Sequence, residues 1–159
     1  MVGSDTPSVA RVTLFRVAII LGVGLAGALD EIVFHQLLQW HNLYVHTDQH
    51  GRIISDGLLH LLSTATLLVG VLLLWRYAHL VRQARGRVLA AGLCVGLGGF
   101  NLYDGTVQHK LLQLHPVREG VLNQLPYDLA WNSTALVVLI VGWLLWRPAG
   151  QGVSERPEG

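Results

Sequence analysis

Residues 30 to 41 read DEIVFHQLLQWH, and residues 104 to 115 read DGTVQHKLLQLH. Seven of the twelve positions are identical: Asp30 with Asp104, Val33 with Val107, His35 with His109, Leu37 with Leu111, Leu38 with Leu112, Gln39 with Gln113 and His41 with His115. Aspartate and histidine therefore recur at D-x4-H-x5-H spacing, among leucines, in both copies. That is a donor set for a divalent cation. Carboxylate and imidazole together suit iron, zinc, manganese or copper(II). A bound cation also turns otherwise stranded charges into ligands.

A second pair of sites follows the same doubling. Ser55-Asp56, with His60 four residues on, matches Tyr127-Asp128, with Asn132 four residues on. Asp56 and His60, at i and i+4, share one face of a helix. The expected metal ligands are thus Asp30, His35, His41, Asp56, His60, Asp104, His109, His115 and Asp128, holding one or two ions. The aspartates would bridge or cap the metal charge and take up protons during turnover. His35, His60 and His109 would be inner ligands, with His41 and His115 at the mouth.

Helix geometry constrains this set. On an ideal α-helix His35 lies ~140° around from Asp30 and cannot share its face. A π-bulge would align i with i+5. The alternative is that His35 pairs with Glu31, but Gly105 stands at that position in the second copy, which argues against a role for Glu31. A plainer reading of Asp56 and Asp128 is that they serve helix N-termini. His41 and His115 would then be interfacial, and His46, Asp48 and His50 a solvated loop.

The elements that carry these residues are apolar. The chain has 159 residues, 52% hydrophobic and 13% charged, about half the charged share usual for soluble domains. Four apolar segments stand out: Val17–Leu29, Gly57–Trp75, Val88–Tyr103 and Leu129–Trp146. A span takes about 20 apolar residues. The first and third reach that length only by including Asp30 or Asp104, so the acids lie within the membrane zone or at its edge. An intramembrane ionisable group costs at least ~2.5 kcal/mol and marks function by default.

Arginine placement predicts topology. Arg11, Arg16, Arg76, Arg82, Arg85, Arg87, Arg147 and Arg156 would lie on one side, and Arg52, Lys110 and Arg118 on the other. Both termini would then be cytoplasmic. Trp75, Tyr77, Trp143 and Trp146 would mark the inner interface, and Trp40, Tyr44, Tyr127 and Trp131 the outer one. Arg11 and Arg16 before an apolar run ending in Ala26-Gly27-Ala28 also resemble a cleavable signal. The doubling argues against cleavage, because it makes this segment the partner of the third span.

The doubling continues beyond the motifs. Ser63-Thr64-Ala65 recurs as Ser133-Thr134-Ala135, and Trp75-Arg76 as Trp146-Arg147. The expected fold is all-α: a four-helix transmembrane bundle built from two parallel helix-pair repeats. Repeat 1 covers about 12–77 and repeat 2 about 86–147. A single domain, 11–147, would lie between mobile tails at 1–10 and 148–159. Two helix pairs entering from one side are related by an axis along the membrane normal, which brings the duplicate motifs together in the outer leaflet.

Several classes are excluded or left without support. Net charge is +1, which gives no reason to expect nucleic acid. Cys94 is the only cysteine, so no intrachain disulfide forms and thiolate metal sites are nearly excluded. There is no Gly-rich phosphate loop, nucleophile elbow or HExxH motif.

The segments ALDEIVFHQLLQWH, SDGLLH, FNLYDGTVQHKLLQLH and PYDLAWN carry a family likeness. Over roughly residues 15–147 the chain resembles the bacterial four-span membrane proteins of domain-of-unknown-function family 2243. The resemblance implies a multi-pass protein of the bacterial inner membrane. It supplies no reaction.

The residues point to a membrane metalloprotein, and to non-haem redox or oxygen-activating chemistry. Three alternatives stand beside that reading. One is a haem-binding electron-transfer protein with His35 and His109 as axial ligands. The others are a metal carrier or oxidase-assembly factor, and a metal-free proton or ion pathway. The expected partners are the lipid bilayer and, for a redox role, other membrane redox proteins; a homo-oligomer is compatible with the sequence.

Overall fold

The computed structural model describes residues 6–83 and 86–147. Five α-helices follow in chain order: α1 (Thr6–Asp30), α2 (Gln49–Arg76), α3 (Ala78–Gln83), α4 (Gly86–Tyr103) and α5 (Leu125–Trp146). No strand occurs among the described residues. Two π-helical segments, Glu31–Leu37 and Asp104–Leu111, extend α1 and α4 without a break. Four of the helical runs are long and apolar enough to cross a membrane: Val9–Leu37, Gln49–Arg76, Gly86–Leu111 and Leu125–Trp146. Helix α1 begins at Thr6, so part of the expected 1–10 tail is helical. The rest of that tail and the 148–159 tail lie outside the described residues.

Local chemistry sets the helix ends. Asp48 N-caps α2, its side chain accepting from the Gly51 N–H at 2.8 Å, as an Asp in that position does. Pro126 occupies the first turn of α5, where its missing N–H costs nothing. Arg147 is extended (φ −56°, ψ 141°), as a residue before proline prefers. Asp56 lies two turns inside α2, so it caps nothing.

The packing is organised around a central pair. Helices α1 and α4 pack on each other, α2 packs on α1, and α5 on α4. Glycines set the approach. A Cβ on Gly92 would lie 2.5 Å from the Ala18 Cβ, and one on Gly96 would lie 2.9 Å from the Gly22 Cα. Contacts advance together along both helices, so α1 and α4 run parallel. Each outer helix docks antiparallel through another pair of glycines. Gly24 abuts Leu67 and Gly70 abuts Leu21; Gly98 abuts Leu139 and Gly142 abuts Val95. Small residues allow such close backbone approach in membranes. The outer faces of α2 and α5 stay apolar and exposed, through Leu61, Leu72, Val137 and Ile140 among others, as a lipid-facing surface requires.

These contacts recur at fixed offsets. Central positions match 74 residues apart (Gly24 and Gly98, Leu21 and Val95), and outer-helix positions match 72 apart (Leu67 and Leu139, Gly70 and Gly142). The buried outer-helix residues follow the same rule, Ser63 with Ala135. The Ser-Thr-Ala triplets, aligned in the sequence at 63 and 133, are therefore two residues out of packing register. Ser63 faces the core and Ser133 does not.

The arginine-bearing ends meet. Arg11 donates to the Trp146 carbonyl, Phe15 stacks on Trp146 at 4.0 Å, and Arg87 donates to the Leu144 carbonyl at 2.9 Å. The acids and histidines gather at the opposite end, beneath two loops that pair reciprocally. Val45 N–H donates to the Leu114 carbonyl at 3.1 Å, and Glu119 N–H to the Trp40 carbonyl at 2.7 Å. Arg52 latches the loops, donating to Glu119 at 2.7 Å and to the Val45 carbonyl at 2.9 Å.

Candidate metal centre

The two π segments align what an α-helix would separate. His35 Nε2 lies 3.4 Å from Asp30 Oδ2, and His109 Nε2 lies 3.0 Å from Asp104 Oδ2. Both are i, i+5 pairs, the spacing a π turn stacks. Each segment ends with an N–H reaching back five residues, Leu38 to Val33 at 2.8 Å and Leu112 to Val107 at 2.7 Å. The chain then turns through Gln39 and Gln113, both left-handed at φ 51°. A left-handed L-residue costs roughly 1–2 kcal/mol. Here the turn redirects His41 and His115, two residues further on, inward over the π segments.

The result is a nest of four imidazoles. His41 and His115 stack with centroids 4.5 Å apart at 19°. His35 meets His41 edge-on at 4.6 Å, and His109 meets His115 edge-on at 4.6 Å. His35, His41, His109, His115, Asp30 and Asp104 are all buried, each at most 4% exposed. Ligand atoms of His41, His109 and His115 lie within 4.8 Å of one another, and so do those of Asp30, His35 and His41. His41 belongs to both triads. Asp104 joins the first, 3.0 Å from His109 and 3.7 Å from His115.

Ring-nitrogen assignments follow from the partners. His41 Nδ1 lies 2.7 Å from the Val117 carbonyl. A carbonyl only accepts, so Nδ1 carries the proton and Nε2 keeps a free lone pair. His35 Nδ1 faces Asp56 at 3.0 Å and Glu31 at 3.1 Å, and its Nε2 faces Asp30 at 3.4 Å, so carboxylates flank both nitrogens of this ring. Metal-ligating histidines are oriented in this way by carboxylates and carbonyls behind them. Burial pushes His41 down to about 4 and His115 down to about 2, helped by neighbouring imidazoles. Both rings are therefore neutral at pH 7.

Two expected ligands fall elsewhere, while Asp56 forms a further group with Glu31 and His35 whose donor atoms also lie within 4.8 Å of one another. His60 is exposed on the outer face of α2, because α2 turns that side toward lipid while Ser63 faces α1. Asp128 pairs with Lys110 at the surface and belongs to no triad. Asp56 touches His35 from behind and accepts from Asn42 Nδ2 at 2.6 Å and Leu43 N–H at 2.7 Å. It anchors the loop and the ring of His35. His41 and His115, placed at the mouth by their position in the chain, are the centre of the nest. His46, Asp48 and His50 are exposed as expected, but only His46 lies in a loop: Asp48 caps α2 and His50 is in its first turn.

Sequence reasoning passed over Glu31, which is 1% exposed and contacts His35. The comparison with Gly105 hid it. A Cβ on Gly105 would lie 2.6 Å from Asn132 Oδ1 and 2.7 Å from Trp131 Cδ1. In the second half those side chains occupy the space that Glu31 takes in the first. An acid four residues before His35 in an apolar run was the available signal.

A family model described as predicted membrane protein (DUF2243) matches residues 17–149, and the chain belongs to that family. No curated protein and no solved structure matches the chain.

Proposed function

We propose that this family member is an integral protein of a bacterial cytoplasmic membrane that holds one or two transition-metal ions in the outer half of a doubled helix pair. Both termini would face the cytoplasm, following the arginine distribution. The axis relating the halves would run along the membrane normal, which suits the parallel α1–α4 pair.

One observation carries this reading. His109 Nε2 and Asp104 Oδ2 lie 3.0 Å apart, both buried, without the alignment of a well-formed hydrogen bond to each other or to any other group. Two ligands of one ion at roughly 2.0–2.2 Å stand about 3–3.5 Å apart at tetrahedral or octahedral angles. His35 Nε2, His41 Nε2 and both ring nitrogens of His115 are also buried and unpartnered. Each such group left unpartnered costs about 1–3 kcal/mol. A cation shared by these lone pairs removes the cost.

The donors are imidazole and carboxylate, which fits iron, manganese, zinc or copper(II). The non-haem reading is favoured over haem because the rings of His41 and His115 stand between His35 and His109, where a porphyrin would have to lie. Bound there, such an ion would supply Lewis-acid or redox chemistry, and redox or oxygen-activating catalysis is the activity this donor set suits. The chain's part is to hold His35 and His41 in the tautomers that aim Nε2 inward. Glu31 and Asp56 keep the proton on His35 Nδ1. The two loops exclude water above.

The test is elemental analysis with an absorption spectrum of detergent-purified protein, wild type beside His109→Ala. Stoichiometric metal without a Soret band is expected, with metal lost in the variant. A wild-type protein that binds none of Fe(II), Mn(II), Zn(II) or Cu(II) on reconstitution would overturn the reading.

A further inference from the structure

The two halves differ at one flank. Between α1 and α5 lies a cleft of about 670 Å³, within the range of small-molecule sites. Ala26, Asp30, Phe34, Trp40, Tyr127 and Trp131 line its outer part; Leu97, Ala135 and Val138 line its inner part. It opens sideways through Leu29, Ala130 and Thr134, which are exposed where lipid would be. The matching groove between α4 and α2 carries Phe100 where this one has Ala26. The Phe100 ring lies against Gly27, 3.4 Å from where a Cβ there would stand. A small residue leaves one flank open where a phenyl ring packs the other.

The walls specify an occupant. Phe34 meets Trp131 edge-on at 4.8 Å and Trp40 at 5.4 Å, and Trp40 meets Tyr127 edge-on at 5.8 Å. Such faces and edges take a flat ring. Arg118 sits over Trp40 and donates to the Tyr127 hydroxyl at 3.0 Å, which marks the polar end. The inner end is hydrocarbon-like. Asp30, 4% exposed, forms part of the wall, and its Oδ1 has no partner. A carboxylate oxygen asks for a donor and repels an anion. An acyl chain would leave it unsatisfied.

We propose that this cleft admits from the bilayer an amphiphile with a hydroxylated aromatic ring and an apolar tail, the hydroxyl donating to Asp30. The inference names the class of molecule brought to the metal centre. It rests on that reading for the ligand's fate, while binding needs only the cleft.

The probe is 2-bromo-4-dodecylphenol, whose bromine quenches tryptophan, titrated into the detergent-solubilised, metal-loaded protein at pH 6.5. Its methyl ether, which has no donor, is the control. Saturable quenching is expected, with the ether weaker by about tenfold or more, the worth of a hydrogen bond to a charged group. Ala26→Phe should abolish binding and keep the wild-type metal content. Ala130→Phe, at an exposed site that folding does not depend on, should do the same. Equal affinity for phenol and ether, or binding untouched by both variants, would overturn the proposal. If metal is absent but the phenol still binds selectively and the variants abolish it, the metal reading falls and the cleft stands. If metal is present and the phenol does not bind, the cleft inference falls alone.

Discussion

His41 and His115 stack ring on ring, 4.5 Å between centroids, although each leaves a different half of the chain. Neither sits on a regular helix. Each follows a π segment and a left-handed glutamine, and the reciprocal loop pairing carries the two rings to one point. That stack is the hinge of the proposed centre, because His41 belongs to two of the three donor triads and links the two halves.

His41→Ala should therefore cost more metal than loss of any other single histidine. The expected outcome is metal affinity lowered by well over about tenfold, beyond the effect usual for an outer-sphere group. Metal content after dialysis against a graded chelator checks it. His60→Ala and Asp128→Asn should leave the content unchanged, since one is exposed and the other pairs with Lys110.

Asp56→Asn and Glu31→Gln test the groups behind His35. Each weakens the hold on the Nδ1 proton without removing a proposed ligand. Metal affinity should fall by roughly 10–100-fold for Asp56→Asn, with metal-to-protein stoichiometry restored at high metal concentration. A loss that excess metal does not reverse would instead make Asp56 a ligand. Glu31→Gln should act in the same direction, although Gly105 replaces Glu31 in the other half.

Gly24→Ala should push α2 away from α1. The new Cβ would lie 2.4 Å from Leu67 N, a backbone atom that cannot swing aside. Overpacking of this kind costs about 1–3 kcal/mol. Gly98→Ala should behave alike, at 2.7 Å from Leu139 N. Gly57→Ala meets nothing within 4 Å, and should be neutral or stabilise by up to ~1 kcal/mol through helix propensity. Thermal unfolding followed by size-exclusion in detergent separates these outcomes.

Acid should destabilise the metal-free protein through His41 and His115. Their folded values, about 4 and about 2, lie below the ordinary 6.5. Above pH 6.5 both states are neutral and the stability is fully present. As pH falls below 6.5 the unfolded chain takes up protons that the folded chain refuses, so stability declines. The slope is about 1.4 kcal/mol per pH unit per group. For His41 it ends near pH 4, and for His115 it continues lower. Melting temperatures of chelated protein at pH 6.5, 5.5 and 4.5 should fall in that order, and His115→Gln should flatten the trend.

The four spans were legible because apolar length is a local property. The doubling was legible because the D-x4-H-x5-H motif repeats as letters. The π distortion could also be inferred, since no ideal helix puts His35 beside Asp30. Membership of the triads was harder. His60 shares a sequence face with Asp56, yet α2 meets α1 through Gly70 and Ser63, which turns His60 outward. Glu31 was discounted because its counterpart is glycine, while the structure fills that space with Trp131 and Asn132 instead.

What the sequence determined alone is therefore the solvent of the chain, the helical spans and the inventory of acids and imidazoles carried to one end of them. Hydropathy and repeat spacing depend only on the order of residues. The tertiary structure decided which side chains share one point, that His41 and His115 are central, and that one flank is open. Those outcomes depend on the rotation of each helix about its axis and on how two loops pair across the halves. Both are set by contacts between residues far apart in the chain.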